Sequence, residues 1–100
     1  RHTVMLPPDL AIRRTEAVVA VLERVLGPEQ HDTLMARNNL AVDYSALGRH
    51  EEELRLDEGT LPARERALGP EHPDTIVSRN HLAGDYLAVR DPAPAVPRPS

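Results

Sequence analysis

The sequence predicts an all-α fold, an α-solenoid of about four antiparallel helices. Three observations lead to this expectation. An eight-residue element at 26–33 recurs 42 residues later at 68–75. Between the copies, apolar residues recur at helical spacing, and each copy carries the glycine and proline that end helices. Repeats of this length are typical of stacked helical units that pack only against their neighbours.

The repeated element reads Leu-Gly-Pro-Glu-Gln-His-Asp-Thr in its first copy and Leu-Gly-Pro-Glu-His-Pro-Asp-Thr in its second. Within residues 26–47, 13 of 22 positions are identical to those 42 residues further on. Beyond the element itself, the identical positions include the pairs Arg37/Arg79, Asn38/Asn80, Leu40/Leu82, Asp43/Asp85 and Tyr44/Tyr86. The similarity therefore extends over a whole structural unit and is not confined to a turn.

Four helices follow from this pattern, over about residues 9–25, 33–47, 50–68 and 75–89. Gly in each Leu-Gly-Pro permits a left-handed cap and Pro cannot continue the helix, so the first and third helices end there. The fourth helix opens in one of two ways: Asp74 caps it, or Pro73 lies in its first turn with His72 as the cap. The predicted organisation is a leading segment (1–8), a helical repeat region (9–91, comprising a partial unit 9–25, a full unit 26–67 and a partial unit 68–91) and a proline-rich disordered tail (92–100).

The third predicted helix contains two unusual residues. Gly59 and Pro62 predict a kink or break near residues 58–62, because proline removes a backbone donor and crowds the preceding turn. We therefore expect Pro62→Ala to raise the melting temperature.

Taken together, the Leu-Gly-Pro-Glu element, Arg-Asn-x-Leu-Ala-x-x-Tyr and Gly-Arg-His-Glu-Glu resemble the 42-residue tetratricopeptide repeats of kinesin light chains. The chain is similar also to their bacterial relatives, which often follow nucleotide-binding switch domains. The resemblance covers roughly residues 10–89. It implies a right-handed superhelix whose concave face, lined by the first helix of each unit, binds peptides or protein segments. The repeat proteins that this chain resembles have a small residue at a close helix–helix contact where this chain has Glu53, and a carboxylate there is costly unless it reaches solvent or a partner.

Asn38 and Asn80 occupy the same repeat position on helices that line the groove in this family. Asparagine is a mediocre helix former, so its presence at the same position of both repeats requires an explanation. Either the amides contact a peptide backbone, or they bond a neighbouring helix. The resemblance implies a peptide site comprising Asn38, Asn80, Asn39, His81, Met35, Val42, Arg37 and Arg79. The two arginines could instead pair with nearby glutamates, and the repeated tyrosines are expected in the core.

Composition argues against other classes of function. The chain has no cysteine, and its five histidines lack the spacing of a metal site, so no metal and no cofactor are predicted. Its serines lack a nucleophile elbow and no glycine-rich phosphate loop exists, so no enzyme is expected. The net charge of −4 disfavours nucleic acid and anionic membranes as partners.

The sequence thus predicts a cytoplasmic protein-interaction module that binds a protein or peptide. The alternative is a structural or regulatory solenoid segment of a multidomain NTPase with no ligand of its own. The fourth helix has an apolar face that includes Leu82, Ala83, Tyr86 and Leu87, and one side of this face should stay uncovered. Exposed apolar patches mark interfaces, so self-association or docking through this helix is a further expectation.

Overall fold

The computed structural model describes residues 8–90 of the chain. In this range lie four helices: α1 (Pro8–Leu26), α2 (His31–Ala46), α3 (His50–Leu68) and α4 (Pro73–Arg90). Within the described range, each helix contacts only the helices that precede and follow it in the chain. This serial packing confirms the predicted all-α, solenoid-type fold. The tail predicted at 92–100 and all but the last residue of the segment predicted at 1–8 lie outside the described residues.

Glycines end the helices at the predicted places. Gly27 and Gly69, which follow α1 and α3, both have a φ of 92°, a region that only glycine adopts freely. The amide of Gly69 donates to the Glu65 carbonyl at 3.0 Å. At the start of α4, the Asp74 amide donates to Nδ1 of His72 at 3.1 Å. Of the two predicted openings, the one with Pro73 in the first turn and His72 as the cap is therefore present.

The threonine that closes each repeated element anchors one helix to the helix before it. Thr33 and Thr75 are both fully buried. The Thr33 hydroxyl donates to the Leu22 carbonyl at 3.4 Å, and the Thr75 hydroxyl donates to the Arg64 carbonyl at the same distance. These two bonds, one repeat apart, explain why the threonine recurs: it sets the approach of each helix to the helix before it.

The apolar core lies on α1 and α2. Its buried members are Ile12, Val19, Ala36, Leu40 and Tyr44, with Leu22 and Leu56 packed against them. Tyr44 is thus a core residue, as predicted. Its hydroxyl donates to the Glu16 carboxylate, and the Arg49 guanidinium lies 5.1 Å from the centre of its ring.

Tyr86, the repeat partner of Tyr44, was also expected in the core, and this expectation is wrong. It remains 48% exposed, although its hydroxyl donates to Glu58 at 2.7 Å as Tyr44 does to Glu16. The physical reason is that α4 has fewer neighbouring helices than α2 within residues 8–90. Among the described helices α4 packs against α3 alone, whereas α2 lies between α1 and α3.

Helix α3 runs without interruption from His50 to Leu68, so a break near residues 58–62 is absent, while the other predicted outcome, a kink there, stays a prediction. Pro62 lies inside the helix and removes only its own amide bond. Packing against α2 on one side and α4 on the other holds the turns that flank it. Gly59 has a separate role, because a Cβ at this position would lie 2.7 Å from Nη2 of Arg37. The glycine makes room for a guanidinium.

Candidate functional site

A groove of about 550 Å³ opens between α2 and α4. We call it the α2/α4 groove. It is lined by Asn38, Ala41, Val42, Ser45 and Ala46 of α2, His50 and Glu53 of α3, and Asn80, His81, Gly84, Asp85 and Ala88 of α4. Four of the eight residues predicted for a peptide site therefore lie along one groove: Asn38, Val42, Asn80 and His81. The two repeated asparagines belong to opposite walls of it.

The remaining predicted site residues lie elsewhere. Asn39 lines a separate depression between α1 and α2, of about 410 Å³, together with Thr15 and Val18. Met35 is 44% exposed and is not among the residues that line either hollow. A ligand confined to the α2/α4 groove would therefore not touch Asn39 or Met35.

Arg37 is held inside the fold by three partners. Its Nε donates to the Thr60 hydroxyl at 2.8 Å, Nη1 to Glu23 at 2.5 Å, and Nη2 to the Leu56 carbonyl at 2.8 Å. Only 15% of the side chain is exposed. Of the two readings of this arginine, the geometry supports pairing within the chain, where it ties α2 to both α1 and α3.

Arg79 repeats this arrangement in a looser form. Its Nη2 lies 3.6 Å from the Glu65 carboxylate and donates to the Pro70 carbonyl at 3.1 Å. The side chain is 47% exposed. Exposed ion pairs of this length contribute little to stability.

Three acidic side chains meet where α3 faces α4, beside the groove. Carboxylate oxygens of Glu53, Asp57 and Asp85 all lie within 4.8 Å of one another. We call these residues the carboxylate cluster. Asp57 and Asp85 are only 8% and 5% exposed. Glu53 and Asp85 also line the groove, so the cluster borders the space that a ligand would occupy.

The cluster is incompletely satisfied. Oδ2 of Asp57 and Oδ2 of Asp85 are buried and have no hydrogen-bond partner among the described residues. Burial, together with the nearby Asp57 and Glu53 carboxylates, raises the pKa of Asp85 to about 9. His50 lies at the edge of the cluster, where its Nδ1 is 3.3 Å from Oε1 of Glu53.

The equivalent place in the α1–α2 pair holds a single acid. Positions 42 residues before Glu53, Asp57 and Asp85 are Ala11, Thr15 and Asp43. There the Thr15 hydroxyl donates to Oδ2 of Asp43 at 3.1 Å, so the aspartate is satisfied. The cluster therefore arises from two substitutions on α3, alanine to glutamate and threonine to aspartate, opposite an aspartate that both units share.

Comparison with known proteins bears on the segment that carries α2 and α3. Residues 33–74 match the family model described as Tetratricopeptide repeat. This segment is similar to a tetratricopeptide repeat. No curated protein matches the chain. None of the helices within residues 8–90 is both long enough and apolar enough to cross a membrane.

Sequence reasoning identified Glu53 as an anomaly of the repeat but did not identify the cluster. The signal was available, because aligning the two units at their 42-residue offset places Asp57 against Thr15 and Glu53 against Ala11. That alignment does not identify the third member of the carboxylate cluster. Only the packing of α3 against α4 shows that the shared aspartate, Asp85, faces the two new acids.

Proposed function

We propose that the chain is a protein-interaction module that binds an extended peptide in the α2/α4 groove. The observation that carries this proposal is the placement of Asn38 and Asn80 on the two walls of that groove. Tetratricopeptide repeats generally act in this way, as binding surfaces without chemistry of their own.

The side-chain amide suits a peptide backbone because it both donates and accepts hydrogen bonds. The two amides come from α2 and α4, which form different walls of the groove, so each would meet a different backbone group of an extended peptide. Such contacts hold a peptide without reading its sequence.

Selectivity then comes from the other residues along the groove. Val42 is 56% exposed and offers apolar surface, while His81 offers a polar ring on the facing wall. Glu53 adds a carboxylate to that part of the groove, which favours basic over acidic ligand side chains. Arg79 could engage an acidic flank of the ligand, and Met35 or Asn39 would be reached only by a ligand that extends beyond the groove.

The finer family assignment also belongs to this proposal. We propose the kinesin-light-chain-like subtype in its bacterial form, acting in the cytoplasm as part of a larger signalling or scaffold protein. The Leu-Gly-Pro-Glu element, present twice with its buried threonine, supports the subtype. A role as a ligand-free segment of a multidomain NTPase is the competing outcome, and it requires that no peptide enter the groove.

Helix α4 presents a second surface. Four of its apolar side chains are between 42% and 64% exposed: Ile76, Val77, Tyr86 and Leu87. We propose that a second copy of the chain covers this face at high concentration. Sedimentation should show concentration-dependent association in the parent and less of it in Leu87→Glu, which places a charge on the most exposed of the four.

The peptide proposal is tested by selecting ligands from a random peptide display library against the full 100-residue chain. The best peptide is then titrated into the parent and into Asn38→Ala/Asn80→Ala. Each lost hydrogen bond removes about 0.5–1.5 kcal/mol, so affinity should fall by about tenfold in the double variant. Gln30→Ala is the control, because Gln30 is exposed and its side chain makes no capping bond.

Thermal melts of the same variants separate the two readings of the asparagines. Unchanged melting with weaker binding supports the peptide contact. A markedly lower melting temperature in the double variant would show that the asparagines hold neighbouring helices instead. Failure to select any peptide that competes for the groove would favour the ligand-free NTPase segment.

A further inference from the structure

The carboxylate cluster combines a high density of negative charge with unused ligand atoms. Three carboxylates have oxygens within 4.8 Å of one another, and two of them are more than nine-tenths buried. The two buried acids each direct an oxygen into the fold that has no hydrogen-bond partner among residues 8–90. Like charges held this close and away from water are strongly unfavourable unless something positive joins them.

No protein cation of the described range fills that role. Arg64 of α3, which is buried, donates to the Ser78 hydroxyl at 2.8 Å and to the Asp74 carbonyl at 3.4 Å. His50 reaches only Glu53, the outermost member of the cluster. Oδ2 of Asp57 and Oδ2 of Asp85 are therefore left without a basic partner among the described residues.

We propose that Glu53, Asp57 and Asp85 bind a divalent metal cation. Carboxylate oxygens are the ligands that hard divalent cations prefer, and Ca²⁺ takes them at about 2.3–2.6 Å. Two oxygens on opposite sides of such an ion stand about 4.6–5.2 Å apart, so a trio within 4.8 Å fits one ion. Because the cluster borders the α2/α4 groove, water completes the coordination from that side.

The first helix pair supports this assignment by contrast. At the equivalent positions, Ala11, Thr15 and Asp43 offer one carboxylate that is already satisfied by a hydroxyl. In the first pair, therefore, the aspartate at this position is hydrogen-bonded without any additional charged group. The two differences that create the cluster convert a hydrogen-bonded pair into a three-oxygen ligand set, and the contact of His50 with Glu53 leaves Asp57 unused.

The test is a titration of the full chain, stripped with chelator, with Ca²⁺, Mg²⁺, Mn²⁺ and Zn²⁺, with K⁺ as the monovalent control. We expect one saturable site by calorimetry for at least one divalent ion. At a hundredfold excess over Kd, the melting temperature should rise by about 10 °C. No shift is expected with K⁺ at matched ionic strength.

Three variants locate the site. Glu53→Ala/Asp57→Thr restores the side chains of the first pair and should remove the metal-dependent shift while keeping the chain folded. Asp85→Asn keeps the shape of the side chain and should weaken binding by at least about tenfold, since it removes one charged ligand. Asp43→Asn is the matched control at the same repeat position and should bind as the parent does.

The proposal is overturned in two ways. Either no divalent ion binds with a single saturable site, which means that the three acids share protons instead, or binding persists unchanged in both Glu53→Ala/Asp57→Thr and Asp85→Asn, which places the ion elsewhere. Both readouts are independent of peptide binding, so failure of the groove proposal leaves this test intact.

Discussion

The α1–α2 pair and the α3–α4 pair repeat the same contacts around different interiors. Three bonds are common to both: a buried threonine hydroxyl to a carbonyl, a tyrosine hydroxyl to a glutamate, and an arginine to a glutamate. Inside the first pair lie Ile12, Val19 and Leu40. Inside the second, the buried residues include Asp57, Arg64, Ser78 and Asp85.

This difference separates what the repeat needs from what one unit adds. Residues that are identical across the offset make the bonds that set helix approach, and they make them in both pairs. Positions that differ change the interior from apolar to polar: Leu22 and Ala36 become Arg64 and Ser78. Since apolar burial is the main source of stability, the first pair should be the stable part and the second the part that opens first.

The largest expected effect tests that difference directly. Leu40 is 4% exposed in the apolar core, and Leu40→Ala should lower the free energy of unfolding by about 2–5 kcal/mol. Leu82, its repeat partner, is only partly buried, and Leu82→Ala should cost about 1–2 kcal/mol. Chemical denaturation of both variants measures the two values. Equal losses would show that the second pair has an apolar core as effective as the first.

The next effect concerns the two repeated arginines. Arg37→Met keeps the aliphatic stem but removes donors to Glu23, Thr60 and the Leu56 carbonyl, so about 2–3 kcal/mol should be lost. Arg79→Met removes a half-exposed pair and should cost at most about 1 kcal/mol. Chemical denaturation measures the free energy of unfolding of both variants. A larger loss of stability in Arg79→Met than in Arg37→Met would contradict the structural role assigned to Arg37.

A gain in stability is expected from the cluster in metal-free protein. Asp85→Asn removes a buried carboxyl and provides an amide that can donate to Asp57, which should raise the free energy of unfolding by about 1–2 kcal/mol. Asp43→Asn should be close to neutral, because Thr15 already satisfies that aspartate. Melts in the presence of chelator test the pair. Destabilisation by Asp85→Asn would mean that the carboxylate itself is held by favourable contacts.

The smallest effect distinguishes two helical glycines. A Cβ at Gly84 meets nothing within 4 Å, so Gly84→Ala should stabilise α4 by about 0.5–1 kcal/mol. At Gly59 a Cβ would lie 2.7 Å from Arg37 Nη2, whose partners prevent it from moving freely. Gly59→Ala should therefore lose about 1 kcal/mol, because disrupting a charged hydrogen bond outweighs the gain in helix propensity. Stabilisation at both positions would show that the guanidinium relocates without cost.

Much of the fold could be predicted because its signals are local. The Leu-Gly-Pro element ends a helix in both repeats, and apolar spacing shows which segments are helical, so the 42-residue offset was sufficient to divide the chain into α1–α4. Helix α3 continues through Pro62 without a break, because its packing against α2 and α4 outweighs the tendency of proline to end a helix. The expectation that Tyr86 is buried was wrong for a different reason. Tyr86 is identical to Tyr44, but within the described range α4 packs against α3 alone, whereas the helix that carries Tyr44 packs against both α1 and α3.

The candidate sites show the same division. The sequence by itself determined that Asn38 and Asn80 share a repeat position and that Glu53 departs from the pattern. Only the tertiary structure decided that the asparagines face one groove, that Arg37 is engaged inside the fold, and that Asp57 and Asp85 meet Glu53. The physical reason is that a repeat offset specifies equivalence between units, whereas burial and charge interaction depend on which helices pack together and at what distance.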